Sequence, residues 1–147
     1  VEKALPADVA ILVAAVADWR ASDVPEQKIK KDGKGIPPLT LAENPDILAS
    51  LAEHKQRPPL LIGFAAETEH LEKNAEIKRR KKKLPLLVAN LAQTAMGLDD
   101  SELILLDDNG KHCLPRASKI EQAQHLIQHI AVLYAEKANK TNKKIQK

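Results

Sequence analysis

The chain carries a continuous apolar run over residues 9–17, bounded by Asp8 and Asp18. A run that is apolar at every position, rather than at alternate positions, is typical of a strand with both faces buried. Such strands occur in parallel sheets that helices cover on both sides. The run is also far shorter than the roughly 20 apolar residues that a membrane-spanning helix needs. We therefore expect a buried strand inside an α/β layered domain.

Further apolar runs at residues 60–65, 86–89 and 103–106 predict three more strands. Helices are predicted between and after them, at about residues 44–54, 69–83 and 118–138. Asn44 is the expected cap of the first helix, with Pro45 and Asp46 in its first turn. A short strand is expected at residues 39–41, and a turn at residues 107–110 predicts a hairpin before the last helix. Strands that alternate with helices predict a mostly parallel sheet, with ligands at the carboxyl ends of the strands.

The charge distribution favours an anionic small molecule as the ligand. The chain has 147 residues, enough for one hydrophobic core, and a net charge of +3. Its basic residues cluster at positions 28–34, 78–83 and 137–147, which suits a phosphate-rich partner. Aromatic residues make up 2% of the chain, so a stacking platform for a nucleic acid strand is missing.

Cysteine and histidine give no sign of a disulfide framework or of a zinc motif. Cys113 is the single cysteine, and the five histidines show no ligand spacing. The chain opens without a charged and apolar leader, so we expect a cytoplasmic location and no membrane partner.

Three positions near predicted strand ends or in a long loop are candidates for ligand contact. Asp18 follows the first strand, where its carboxylate either binds ribose hydroxyls or a metal ion, or simply forms a turn. Lys28 lies in a polar loop, residues 22–38, that is long enough to act as a mobile lid or to be a solvated basic segment. Phe64 follows Gly63 at the end of the second buried strand, where its ring packs on a base or in the core.

Two lysines interrupt the apolar face of the second predicted helix. Lys78 and Lys82 share one helical stripe with Leu71 and Ala75. Lysines are rarely buried without an anionic partner, so this placement indicates either a phosphate contact or snorkelling at a helix end. With a helix starting at residue 69, Lys78 lies about 13 Å from that start, at ~1.5 Å per residue.

Several of these features recur together in one known family. The segments concerned are residues 14–20 (AAVADWR), 28–31 (KIKK), 44–48 (NPDIL), 63–68 (GFAAET) and 88–90 (VAN), together with Lys78 and Lys82. In order and spacing they resemble phosphopantothenoylcysteine synthetase. The resemblance is strong over about residues 8–90 and looser through the hairpin and the final helix.

The resemblance implies a Rossmann-like layered fold with a C-terminal hairpin and helix. It also implies a CTP-dependent ligase of coenzyme A biosynthesis. In that family CTP and Mg²⁺ activate 4'-phosphopantothenate as an acyl-cytidylate, and cysteine then displaces CMP. Members are homodimers and often follow a flavin-dependent decarboxylase, so FMN would belong to an upstream domain that this chain lacks.

Carried over position by position, the resemblance implies one catalytic residue, Lys28, near the reacting acyl group. The implied nucleotide contacts are Leu12, Val13, Ala14, Asp18, Lys28, Pro45, Asp46, Ile47, Leu48, Phe64, Lys78 and Lys82. Residues 1–138 would be the C-terminal part of the synthetase domain, and the Lys/Asn/Gln-rich residues 139–147 are expected to be a disordered basic tail.

The family's glycine-rich phosphate loop would precede Val1, so we expect that this chain alone does not catalyse the ligation. A related ligase with another acid or amine is an alternative. So is a basic nucleic-acid-binding or scaffolding module that uses residues 78–83 and the tail.

Overall fold

A computed structural model of the chain describes residues 2–30, 33, 35, 38–67, 69–91 and 99–145. After a 3-10 turn at Glu2–Ala4, the elements in chain order are β1 Val9–Leu12, β2 Trp19–Ala21, β3 Leu41–Glu43, α1 Ile47–Ala52, β4 Leu60–Glu67, α2 Leu71–Lys81, β5 Leu86–Leu91, β6 Asp100–Asp107, β7 Gly110–Ser118 and α3 Lys119–Ile145.

Five of the strands form one sheet in the order β1-β4-β5-β6-β7. The β1–β4 and β4–β5 pairs are parallel, whereas β6 and β7 add to this unit as an antiparallel hairpin. Since β6 reverses direction and β7 reverses it again, four of the five strands run the same way. The predicted α/β fold, with a mostly parallel sheet, a C-terminal hairpin and a C-terminal helix, is confirmed.

Alternate residues of β4 point to opposite faces of the sheet and pack into two separate hydrophobic clusters, one on each face. Leu61 and Ala65 pack with the side of the sheet that carries α1 and α2. Leu60 and Ile62 pack on the other side with Leu126 and other residues of α3. Burial on both faces explains why β4 is apolar at consecutive positions.

The first apolar run leaves the sheet earlier than predicted. β1 ends at Leu12, which pairs with Gly63, and Val13 and Val16 are exposed. Asn44 holds the following segment away from β4: its backbone N–H donates to the Asp18 carbonyl over 2.8 Å, and its side-chain Nδ2 donates to the Ala17 carbonyl over 2.7 Å. The apolar run therefore serves as a strand and then as the wall of an open space.

The first helix is capped by Asp46 and not by Asn44, so the predicted cap was wrong. Asp46 Oδ1 accepts from the Ala49 N–H over 2.9 Å, and α1 begins at Ile47. The amide of Asn44 cannot serve α1 because it bonds to the Ala17 carbonyl and to the Arg20 guanidinium.

Several other boundaries also differ from the prediction, among them the following three. The strand expected at residues 39–41 is Leu41–Glu43, because this segment pairs with β2 in an antiparallel two-stranded ribbon. The helix expected from residue 69 begins at Leu71, after His70 in a left-handed backbone conformation. The last helix continues to Ile145, beyond its expected end near residue 138, and the lysines at positions 140, 143 and 144 are good helix formers. None of the described helices is long and apolar enough to cross a membrane.

Candidate functional site

An open groove of ≈ 650 Å³ lies at the carboxyl ends of β1 and β4. It exists because β1 stops opposite Gly63, so the edge of β4 that faces β1 is unpaired from Phe64 onward, while β5 still pairs with Phe64 on the other side. The segment after β1 forms one wall and the start of α1 forms another. The lining residues are Ile11, Leu12, Val13, Ala14, Ala15, Val16, Ala17, Asp18, Asn44, Pro45, Asp46, Ile47, Leu48, Phe64 and Lys82.

Ten of the twelve predicted nucleotide contacts line this groove, and Lys28 and Lys78 do not. The convergence follows from topology, since the carboxyl ends of neighbouring parallel strands meet at one edge of the sheet. It places predicted residues from four separate stretches of the chain around one space. Their role in binding a nucleotide stays a prediction.

Lys82 brings a positive charge into the groove from the far end of α2. Its Nζ lies 2.7 Å from Asp46 Oδ2, while Asp46 Oδ1 caps α1. Burial raises the pKa of Asp46, but the hydrogen bonds from Lys82 and from the Ala49 N–H outweigh it and leave the pKa below its ordinary value. Asp46 is therefore ionised at neutral pH and fixes both the helix start and the lysine.

Lys78 pairs with the end of β4 and lies outside the groove lining. Its Nζ is 2.6 Å from Glu67 Oε1, and its side chain remains 52% exposed. Because α2 begins at Leu71, Lys78 lies about 10 Å along the helix, at ~1.5 Å per residue, and its side chain extends back to the strand end. The predicted stripe of lysines is thus accounted for by two ion pairs within the chain.

Lys28 is exposed in the loop that connects β2 and β3. The ribbon closes the base of the predicted loop, where the Ser22 N–H donates to the Thr40 carbonyl over 2.9 Å. Within the predicted loop, residues 31, 32, 34, 36 and 37 lie outside the described residues, as does Thr68 of the segment 63–68.

Sequence reasoning missed the part of the groove supplied by Asn44, Val16 and Ala17. The sequence predicts Asn44 as a helix cap, whereas in the structure its amide and its backbone N–H bond to the segment that forms the wall of the groove. A second, more apolar hollow of ≈ 540 Å³ adjoins the groove past Phe64 and includes Asn90 and Gln122. Asn90 belongs to the segment 88–90 on which the resemblance rests, and that segment was the one indication in the sequence that this region lies near the site.

The groove combines apolar walls, one ammonium group and carboxylate oxygens in a small space. Asp18 contributes a carboxylate for which no ion pair or hydrogen bond is found among the described residues. Such a set suits a ligand with a flat apolar part and an anionic part. The geometry of the groove is that of a small-molecule site at strand ends.

Comparison with known proteins gives one consistent family. Residues 1–133 match the DNA/pantothenate metabolism flavoprotein C-terminal domain. The coenzyme A biosynthesis bifunctional protein CoaBC of Escherichia coli K12 is 40% identical over 129 residues, which are 84% of this chain and 32% of that protein. The CoaBC protein of Haemophilus influenzae is 37% identical over 135 residues, which are 90% of this chain and 34% of that protein. The chain thus spans about a third of the length of these curated relatives.

The solved C-terminal domain of a CoaBC protein superimposes with a TM-score of 0.67 at 32% identity, over 88% of this chain and 56% of that one. The match over 133 residues and the relatives at up to 40% identity confirm the resemblance that the sequence segments carried. The chain belongs to the family of the DNA/pantothenate metabolism flavoprotein C-terminal domain.

Proposed function

We propose that this chain supplies the nucleotide-binding part of a phosphopantothenate–cysteine ligase in coenzyme A biosynthesis. The ligase activates 4'-phosphopantothenate with CTP as an acyl-cytidylate and couples it to cysteine with release of CMP. The observation that carries the proposal is the groove, which gathers ten of the twelve family positions at the carboxyl ends of β1 and β4. The chain's relatives are coenzyme A biosynthesis proteins, which supports the substrate class.

In this arrangement the cytosine lies against the backbone of residues 12–14, whose N–H and C=O groups read its edge. Phe64 and Leu48 supply apolar contact beside it. Lys82, held by Asp46, faces the phosphates, and Lys28 approaches the reacting acyl group when its loop closes. An ammonium group at that point stabilises the negative charge that develops in the transition state.

Mg²⁺ fits the groove through hard oxygen donors. It prefers one or two carboxylates together with substrate phosphates, and Asp18 offers a carboxylate with no ion-pair partner among the described residues. Asp18 would hold the ion, and the ion would neutralise charge on the triphosphate.

The basic run at residues 78–83 does not favour a nucleic-acid-binding module. Three of its six members form ion pairs outside the groove, in the pairs Lys78–Glu67, Arg79–Glu76 and Arg80–Glu76, and Lys82 lies in the groove lining. Arg79 is also buried and bonds Asp108. Charges that are neutralised in this way add little to binding a phosphate backbone.

The proposal is tested by displacement of a fluorescent CTP analogue from the chain in the presence of Mg²⁺. We expect CTP to displace it at least about 10-fold better than ATP, a difference of about 1.4 kcal/mol. Equal displacement by the two nucleotides would contradict the assignment to a cytidine-using ligase. A steep loss of affinity for duplex DNA with added salt, in place of CTP binding, would support the nucleic-acid alternative.

A further inference from the structure

Three side chains that the nucleotide groove does not use converge at the opposite end of the sheet. Asp107 is the last residue of β6 and pairs with Leu86, the first residue of β5, so it lies at the amino ends of the parallel strands. His112 lies on β7 and His129 on α3. The cluster therefore joins the hairpin to the helix that covers one face of the sheet.

Both imidazole rings direct Nε2 at the Asp107 carboxylate. His129 Nε2 lies 2.8 Å from Asp107 Oδ2, and His112 Nε2 lies 3.2 Å from Oδ2 and 3.3 Å from Oδ1 of the same carboxylate. The ring centroids are 4.6 Å apart, and the rings are inclined by 56°. Among the residues that the structure describes, these three offer ligand atoms that all lie within 4.8 Å of one another.

The carboxylate of Asp107 is held in place by the turn between β6 and β7. Asp107 Oδ1 accepts from the backbone N–H groups of Asn109 and Gly110, over 2.7 and 3.0 Å, in the turn between the strands. The Asp107 side chain is 1% exposed, so the turn holds a buried carboxylate whose Oδ2 faces the two rings.

We propose that Asp107, His112 and His129 bind one zinc ion at a site separate from the nucleotide groove. In a tetrahedral site with bonds of about 2.0–2.1 Å, neighbouring ligand atoms lie roughly 3.3 Å apart. The two nitrogen–oxygen distances of 2.8 and 3.2 Å need to widen by about half an ångström or less to match, and the two Nε2 atoms, which lie within 4.8 Å of each other, need to approach to the same separation through small rotations of the rings. The donor set of two imidazoles and a carboxylate suits zinc better than calcium or magnesium, which prefer oxygen ligands alone.

A route from solvent to the site is present on one side. The side chain of His112 is 39% exposed and that of His129 is 20% exposed, so a water molecule can complete the fourth position. Cys113 is the next residue along β7 and points to the other face of the sheet, because successive side chains of a strand alternate. The zinc ion would connect β6, β7 and α3 and stabilise the folded chain over the unfolded one.

The competing interpretation is a hydrogen-bonded cluster without a metal, in which each Nε2 carries a proton and donates to Asp107. A zinc site and a metal-free cluster are distinguished by two measurements on the metal-stripped chain. One is calorimetric titration with Zn²⁺, and the other is the visible spectrum after addition of Co²⁺. We expect one equivalent of zinc, a tetrahedral cobalt spectrum, and a rise of several degrees in the thermal unfolding midpoint on adding zinc.

The variants are His112→Gln and His129→Gln, and each is expected to weaken zinc binding by at least about 10-fold. Loss of a group that only hydrogen-bonds a metal ligand already weakens binding on this scale. His125→Gln is the matched control, because it removes an exposed histidine from the same helix one turn away. Cys113→Ser tests the adjacent thiol, and both controls are expected to bind zinc as the original chain does. Circular dichroism of each metal-free variant checks that it folds.

Two results would overturn the proposal. One is a chain that takes up no zinc at 100 µM, which leaves only the hydrogen-bonded cluster. The other is a loss of binding in His125→Gln or Cys113→Ser equal to that in His129→Gln. If the histidine variants do not fold, nuclear magnetic resonance of the original chain decides: zinc must shift the ring signals of His112 and His129 and leave those of His54, His70 and His125 unchanged. Failure to bind CTP has no bearing on any of these readouts.

Discussion

Lys82 places its ammonium group in the groove although its helix, α2, packs outside it. We expect Lys82→Gln to weaken CTP binding about 10-fold, because one charged partner of a phosphate is worth about 1.5–3 kcal/mol, part of which Asp46 already uses. Isothermal titration with CTP and Mg²⁺ measures the effect. Lys81→Gln, an exposed neighbour on the same helix, serves as the control and should bind CTP normally. An equal loss of CTP affinity in Lys82→Gln and Lys81→Gln would show that only the net charge matters, and not the position of Lys82.

Lys28 is the residue proposed to act on the reacting group, and its side chain is exposed. In a protein that carries the ligation activity, we expect Lys28→Gln to slow turnover by roughly 10²–10³, the scale for one transition-state charge partner. Pyrophosphate release at saturating CTP measures it, with Lys30→Gln as the neighbouring control. A turnover number near that of the original protein would leave Lys28 as a solvated charge.

At the scale of elements, Gly63 allows α1 and the segment before β5 to approach β4 closely. A Cβ at this position would lie 2.6 Å from Leu48 Cδ2, 3.1 Å from Leu84 Cδ1 and 3.2 Å from Leu87 Cδ1. Gly63→Ala should therefore destabilise the chain by about 1–3 kcal/mol through overpacking, and displace Leu48 in the groove. Urea unfolding measures the loss. In a Leu48→Ala background, Gly63→Ala should lower the free energy of unfolding by less. An equal loss in both backgrounds would rule out the contact with Leu48 as the cause.

The α2 helix is tied to the turn after β6 by Arg79, and Glu76 orients that guanidinium. The hydrogen bond from Arg79, together with a weaker one from Arg80, lowers the pKa of Glu76 from 4.5 to about 2, against an opposing effect of burial. The stability that this pair contributes is thus present above about pH 4.5 and is lost as the pH falls through about 2.

We expect Glu76→Gln to destabilise the chain by about 1 kcal/mol at pH 7, since one partner is buried and the other is partly exposed. The difference from the original chain should shrink between pH 5 and pH 2, as measured by urea unfolding at each pH. Glu72→Gln, whose ion pair with Lys111 is largely exposed, is the matched control and should change stability less. A difference that stays constant with pH would show that the carboxylate is not responsible.

For the molecule as a whole, the predicted loop at residues 22–38 connects the two strands of the β2–β3 ribbon, and that ribbon lies beside the groove. Its described positions from residue 23 to residue 30 are all exposed. We expect their amides to exchange rapidly with solvent in the free chain, and to gain protection when CTP and 4'-phosphopantothenate are both present. Hydrogen exchange read by mass spectrometry measures it. Protection of these amides without ligand would contradict a closing loop.

Much of the fold could be predicted because its signals are local. The apolar runs of β4, β5 and β6 and the turn at residues 107–110 are read within a few neighbouring residues, and the structure has all of them. The ten predicted contacts that line the groove were implied by the family resemblance, and the parallel strand order explains why those near strand ends lie at one edge of the sheet. The cap of α1 could not be predicted correctly, because Asn44 is bonded to residues more than 20 positions away.

The sequence by itself determined the layered α/β class, the order of the family segments and the end of the sheet at which the groove lies. Only the tertiary structure decided which charges meet. Lys82 and Asp46 are 36 positions apart and Lys78 and Glu67 lie on different elements, yet each pair shares a close contact. His112 and His129 have no ligand spacing along the chain, and they meet at Asp107 because α3 packs across the β6–β7 hairpin. Side-chain partners are set by packing between elements that are distant in sequence, and no local pattern carries that information.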